Sequence, residues 1–197
     1  MSRRKNKSAP WRDDAIEAVR HLRAGNVIVH ASDTVWGIAC DSTNPAAVSK
    51  LRSLKNRSEA TPILILVAEE GQVEKHFAHV PDAVWDLFKH NDRPTTVVMP
   101  HGKDVDKSIL AEDGSLGVRI VKDPWMEFVA NGLGRPIAST SANMSGTPTP
   151  SHFDEIDTDI IDGADFVSAH RRTDRTATKS SFIVSFDTAD RFKILRD

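Results

Sequence analysis

Cysteine is all but missing from this chain. Cys40 stands alone, so no internal disulfide can form and too few thiols remain for a structural zinc site. Long apolar runs are missing as well, and nothing approaches the roughly 18 apolar residues of a membrane span. No apolar segment of signal-peptide type follows the basic start, so a reducing, cytoplasmic setting without a membrane partner is expected. Neither sign of charge is in excess, with 26 Lys and Arg against 28 Asp and Glu. That balance argues against a polyanion as the main partner. The phosphate-loop pattern, a complete G-x-G-x-x-G and the nucleophile elbow G-x-S-x-G do not occur; Gly132-Leu133-Gly134 is too short to count. Of the eight histidines, only His76 and His79 fall within one helical turn. They have no cysteine or clear carboxylate beside them, so they read as solvated surface groups and no protein-built metal site is expected. Cys40, next to Asp41 with no flanking base or cation, reads as a small buried residue.

The 197 residues, 39% hydrophobic and 27% charged, suit one soluble domain able to bury its own core. Residues 1–12 carry Arg3, Arg4, Lys5, Lys7 and Arg12 and read as a basic, flexible tail; residues 13–197 read as a single domain. Arg171, Arg172 and Arg175 form a second basic cluster. Both basic stretches are open to two readings, solvation or contact with phosphate.

Within the domain, apolar runs alternate with amphipathic segments. Ile16, Val19 and Leu22 follow Asp13 and Asp14 at helical spacing, with Gly25 as a stop. Asn44-Pro45 is a cap and first-turn proline ahead of Ala47, Val48, Leu51 and Leu54. Pro81 opens a helix with Val84, Leu87 and Phe88 as its stripe, and 124–129 reads as a short one. Strands are predicted at 27–29, 63–67, 95–99, 116–120, 137–141, 166–167, 182–186 and 192–195. The interleaving predicts an α/β fold with a parallel or mixed sheet.

Three polar clusters adjoin these strands: 32–37, 55–58 and 139–146. Sheets of this class place ligands at strand ends. If 55–57 is extended, Lys55 and Arg57 share a face, and two converging cations call for an anion such as a polyphosphate. The same parity aligns Ser139, Ser141 and Asn143 as uncharged donors for phosphate or carboxylate. Taken singly, each cluster is equally at home as a turn or a solvated loop; jointly they point to a site.

The chain resembles the threonylcarbamoyl-AMP synthase family, the YrdC/Sua5/TsaC proteins of tRNA modification. Ala31-Ser32-Asp33-Thr34-Val35-Trp36-Gly37 occupies its Pro-Thr-Asp/Glu-Thr-x-aromatic-Gly segment. Lys55-Asn56-Arg57-Ser58 matches its Lys-x-Arg element, Val118-Arg119 its Val-Arg, and Ser141-Ala142-Asn143, inside 139–146, its Ser-x-Asn signature. Ser180-Ser181-Phe182-Ile183-Val184 resembles its closing Ser-Thr-Ile-Val. Ala31-Ser32 in place of Pro-Thr, and Val121 in place of proline, depart from the pattern.

The resemblance implies an open, twisted mixed sheet with flanking helices and a large concave cavity. The implied reaction joins L-threonine, bicarbonate and ATP into threonylcarbamoyl-adenylate and pyrophosphate, for the modification of adenosine 37 in tRNAs reading codons that start with A. Lys55, Arg57, Ser141 and Asn143 would be the central tetrad. Lys55, Arg57, Ser139, Ser141, Asn143 and Arg119 would hold the nucleotide, and Ser32, Thr34, Arg119 and Ser181 the threonine. Magnesium would arrive with ATP. The implied partners are a downstream threonylcarbamoyl transferase complex and tRNA or double-stranded RNA. Two other readings stand beside it: a non-enzymatic module for structured RNA on the same fold, which the near-neutral charge disfavours, and a divergent adenylate-binding paralogue serving another carbamoylation.

Overall fold

Ile137–Ser141 is apolar in its first two residues and polar in its last three, and the sheet explains why. The computed structural model describes residues 9–56, 61–176 and 179–197. Among them the strands are β1 (Ile28–His30), β2 (Gly37–Asp41), β3 (Leu64–Val67), β4 (Thr95–Met99), β5 (Leu116–Ile120), β6 (Ile137–Ser141), β7 (Phe166–Val167), β8 (Phe182–Phe186) and β9 (Phe192–Arg196). The helices are α1 (Arg12–Arg23), α2 (Pro45–Leu54), α3 (Glu70–His76), α4 (Asp82–His90), α5 (Pro124–Leu133) and α6 (Thr158–Gly163). All the strands join one mixed sheet in the order β7-β1-β2-β6-β3-β5-β4-β8-β9.

Residues paired across neighbouring strands share a face. Ser139 lies opposite Ala39 and Leu64, Ser141 opposite Gly37, and Gly37 in turn opposite His30. Leu66 pairs with both Ile137 and Arg119. One face therefore carries Ile28, Ala39, Leu66 and Ile137 towards one end and His30 and Ser141 towards the other, with Ser139 level with Ala39 and Arg119 level with Ile137. Helices α1 and α5 cover the apolar end with Ala18, Leu22, Met126 and Val129. Each fully buried Leu or Met there contributes roughly 1.5–3 kcal/mol. The polar end has no helix over it.

The opposite face is mostly apolar, with Val29, Ile38, Ala138, Ile65 and Val118 in one cluster and Thr140 beside them opposite Ile38, under α2, α3, α4 and α6. Cys40 is buried in this cluster, and burial pushes its thiol pKa up, as an inert core residue requires. Helix α2 begins as its sequence dictates: Asn44 Oδ1 accepts from the Ala46 and Ala47 amides at 3.1 and 3.2 Å.

Several expectations need correction. Strand β2 was not predicted, because Gly37, Ala39 and Asp41 are poor strand formers and only pairing with β1 and β6 makes them one. Helix α3 holds Gly71 and only one buried apolar residue, Val73, so it shows no stripe. Helix α6 is six residues long, and α5 runs to Leu133 before Gly134 caps it in the left-handed region. His76 is buried rather than solvated, its Nδ1 3.0 Å from the Lys103 carbonyl, while His79 is exposed beside Asp190. Residues 1–8 of the basic tail lie outside the described residues, and α1 begins at Arg12, inside the stretch read as tail. No helix among the described residues is long and apolar enough to cross a membrane.

Gly132 sets how closely α5 approaches α1, since a Cβ there would lie 2.7 Å from Val19 Cγ2. Replacing a helical glycine by alanine normally gains about 1 kcal/mol. Gly132→Ala is expected instead to lower stability by roughly 1–2 kcal/mol, because stiff Val19 must move. Urea unfolding checks this, and adding Val19→Ala should restore part of the loss.

Candidate active site

The uncovered end of the sheet is a cavity of about 510 Å³. Ser32, Thr34, Arg119, Ser139, Ser141 and Ser181 all line it. Residues far apart in sequence meet there because β1, β6, β5 and β8 each deliver one cavity-facing residue or loop. Lys55 and Asn143 stand behind the wall, joined to it through Ser141. Arg57 lies outside the described residues.

Arg119 is buried, and burial lowers its pKa against the opposing pull of Asp33. Its Nη2 is 3.4 Å from Asp33 Oδ1, and its Nη1 donates to Thr34 Oγ1 at 2.8 Å. Its Nε finds no acceptor among the described residues, leaving a buried donor on the cavity wall. The hydroxyls beyond it have a fixed direction. Ser32 Oγ donates to the Val35 carbonyl at 2.8 Å and accepts from the Thr34 amide. A serine has one proton to give, so across the 2.9 Å Ser32–Thr34 contact Thr34 is the donor. Ser32 Oγ is thereby saturated, while Thr34 Oγ1, which accepts from Arg119, keeps one lone pair and no proton for a ligand beside that guanidinium.

Lys55 is 1% exposed. It is the C-cap of α2, in a helical conformation, and Asn56 follows at φ 49°. The chain is thus not extended at 55–56, and the shared-face argument for Lys55 and Arg57 fails on its premise. What brings Lys55 to the site is the helix end. Its Nζ donates to the Ser141 carbonyl and lies 3.4 Å from Thr140 Oγ1 and 3.5 Å from Asn143 Oδ1. Ser141 Oγ donates to Asn143 Oδ1 at 2.5 Å. Lys55, Ser141 and Asn143 form one hydrogen-bonded unit where β6 ends.

Sequence reasoning missed two groups on the wall. Arg196, on the outer strand β9, lines the cavity, and its Nε and Nη2 donate to the Ser181 carbonyl and hydroxyl at 3.0 and 3.1 Å. His30 lines it opposite Gly37, its Nε2 3.3 Å from Ser139 Oγ. The register of β1 on β2 on β6 was the signal that could have found His30. The second basic cluster is used inside the fold. Arg171 Nη1 donates to the Ser32 carbonyl at 2.7 Å, Arg172 binds the carbonyls of Ser168 and Val167, and Arg175 pairs with Asp154. The first of these straps the 168–176 loop to the cavity's Ser32 turn.

Burial pushes the His30 pKa down to about 4, against the Ala31 carbonyl, which favours the charged ring; Arg119 adds to the fall. Between that value and the unfolded pKa of about 6.5 the unfolded chain binds the extra proton, so stability falls as pH drops through this window. His30→Phe should flatten the pH 6.5-to-4 stability profile relative to wild type by roughly 3 kcal/mol, measured by urea unfolding at each pH.

The family model described as telomere recombination, Sua5/YciO/YrdC, matches residues 20–197. A threonylcarbamoyl-AMP synthase of Photobacterium profundum is 32% identical over 139 residues, covering 69% of this chain and 75% of that protein. The crystal structure of E. coli YciO superposes with a TM-score of 0.81 at 19% identity, over 96% of this chain and 91% of that one. P. abyssi Sua5 complexed with L-threonine gives 0.78 at 21%, over 91% of this chain but only 52% of the archaeal one. At such identities the two structures speak for the fold, while the family match spans the motifs from the Ser32 turn to Arg196. On that agreement of motif order, sheet and family match, the chain belongs to the Sua5/YciO/YrdC family.

Proposed function

We propose that this chain is a threonylcarbamoyl-AMP synthase, making threonylcarbamoyl-adenylate and pyrophosphate from L-threonine, bicarbonate and ATP. The observation that carries the reading is the cavity wall: a buried guanidinium with a spare donor, Arg119, beside the Thr34 hydroxyl that keeps a lone pair, with a second cation, Arg196, on the same cavity's lining. Such a wall suits an amino acid's carboxylate and ammonium together. The synthase name of the Photobacterium relative and the threonine complex of the archaeal protein support the same ligand.

The chemistry needs no protein nucleophile. Threonine's amine and bicarbonate condense with loss of water to a carbamate, a carbamate oxygen attacks the α-phosphorus, and pyrophosphate leaves. The protein's work is to hold two anions together, neutralise the leaving charge and exclude water. In this reading Arg119 takes the threonine carboxylate, with Ser32 and Thr34 at the same end. Arg196 and Ser181 face the nucleotide, and Lys55, Ser141, Asn143 and Arg57 serve the phosphates. Magnesium is read as arriving with the ATP substrate. The product would pass, in the cytoplasm, to a separate transferase complex acting on tRNA. The proposed domain is residues 13–197, preceded by the basic tail.

Protein supplied with ATP, bicarbonate and L-threonine is expected to yield an adenylate of the threonylcarbamoyl mass, with pyrophosphate release that depends on threonine. Mass spectrometry of the product decides; threonine-independent pyrophosphate, or no adenylate, sinks the proposal. A lysine at a helix end reads from sequence as surface-like and dispensable for folding, but its burial says otherwise. Lys55→Ala is expected to lower kcat/KM about hundredfold or more and also to cost roughly 1–3 kcal/mol of unfolding free energy, as the Ser141 carbonyl loses its donor. Arg196→Gln should lower kcat/KM for ATP about tenfold or more while leaving the melting temperature nearly unchanged, because Arg196 itself sits on the edge strand β9.

A further inference from the structure

His30 belongs to no cluster read from the sequence, yet three independent restraints aim its ring at the cavity. Its Nδ1 is 2.9 Å from the Ala31 carbonyl. A carbonyl can only accept, so Nδ1 carries the proton and Nε2 is left with a lone pair. The ring lies 6.2 Å from Trp125 and nearly parallel to it, at 10°. Trp125 is itself fixed by Nε1 donating to Asp14 Oδ2 at 2.8 Å, and His170 stacks on its other side. Across the sheet, Gly37 leaves the room the ring needs: a Cβ there would lie 2.9 Å from Nε2. The group that Nε2 then meets is Ser139 Oγ.

We propose that His30 is a positioning residue that takes the Ser139 hydroxyl proton, so that Ser139 offers only lone pairs to the cavity and receives the amine or ammonium of a bound amino acid. Ser139 thereby joins Thr34, whose proton is likewise committed to Ser32, on the lining of the cavity that also holds the Arg119 guanidinium. A phosphate, rich in acceptors and without donors at neutral pH, would find no partner at Ser139. The family resemblance grouped Ser139 with the nucleotide-binding residues, and His30 moves it to the amino-acid end. Because burial holds the His30 pKa at about 4, the ring is neutral throughout the range in which threonine would be assayed.

The proposal rests on the synthase reading for the identity of the amino acid, and binding separates the two. L-Threonine and ATP are titrated separately by calorimetry into wild type, His30→Phe, His30→Gln, Ser139→Ala and the His30→Phe/Ser139→Ala double variant. Phe keeps the ring stack and loses the acceptor; Gln sets an amide oxygen near the Nε2 position. With one charge-assisted hydrogen bond at stake, His30→Phe should weaken threonine about tenfold and ATP by less than about twofold, and His30→Gln should recover most of the loss. The double variant should bind threonine no more weakly than Ser139→Ala alone. Full threonine affinity in His30→Phe, an equal loss for ATP, no recovery with Gln, or independent losses in the double variant would each overturn the assignment. If melting shows His30→Phe unfolded, His30→Leu takes its place in the same comparison. Wild type that binds threonine but makes no adenylate would remove the synthase reading and leave the role of His30 standing.

Discussion

Everything in this molecule depends on the register of β6 between β2 and β3. The strand is antiparallel to both neighbours, and its odd-numbered residues all face one way. A slip of one residue would turn Ala138 and Thr140 towards the cavity and drive Ser139 and Ser141 into the apolar cluster under α2. Two hydroxyl-bearing positions would then be buried without partners, at a cost of roughly 1–3 kcal/mol each. Register is thus held by the same residues that make the site. Lys55 fastens its end, since the Ser141 carbonyl, the last of the strand, accepts from Nζ.

The second constraint is that one sheet face is covered unevenly. Helices α1 and α5 bury Ile28, Ala39 and Ile137 and reach the His30 ring through Trp125, but leave Ser139 and Ser141 to the cavity. A complete helical layer would have made this a closed three-layer α/β domain with nothing to bind. The gap leaves two cations, Lys55 and Arg119, within a few per cent of full burial before any ligand arrives. Desolvating each costs several kcal/mol, offset by carbonyls, hydroxyls and Asp33. Those groups hold the donors in place in advance, so a bound anion meets dipoles that need not reorganise.

How much of this was legible in the sequence follows from where the periodicity was clean. Residues 137–141 gave both the strand and the facing of Ser139 and Ser141, because parity needs no tertiary knowledge once a strand is granted. Helix α2 was readable from Asn44-Pro45, a cap whose chemistry is local. Lys55 was drawn to the right place for a wrong reason: Asn56 enters the left-handed region, which asparagine tolerates, so the chain turns where extension was expected. His30 and Arg196 were invisible, since a histidine or arginine in a short strand looks the same whether it faces water or a cavity. Only the pairing of β1 with β2, or of β9 with β8, distinguishes the two. The basic cluster 171–175 left solvation and phosphate contact both open, because sequence does not show the carbonyls and carboxylates that absorb it.

The outermost strand is the least secured part of the cavity wall. β9 has one hydrogen-bonded neighbour, a register irregularity near Ile183, and exposed Phe192, Ile194 and Leu195 along it. Strands so placed fray first, and when this one lifts, the guanidinium of Arg196 leaves the cavity with it. Any anion gripped by that guanidinium must therefore tighten the sheet's margin by the amount that an ordered margin tightens the grip, so occupancy and edge fraying titrate one another.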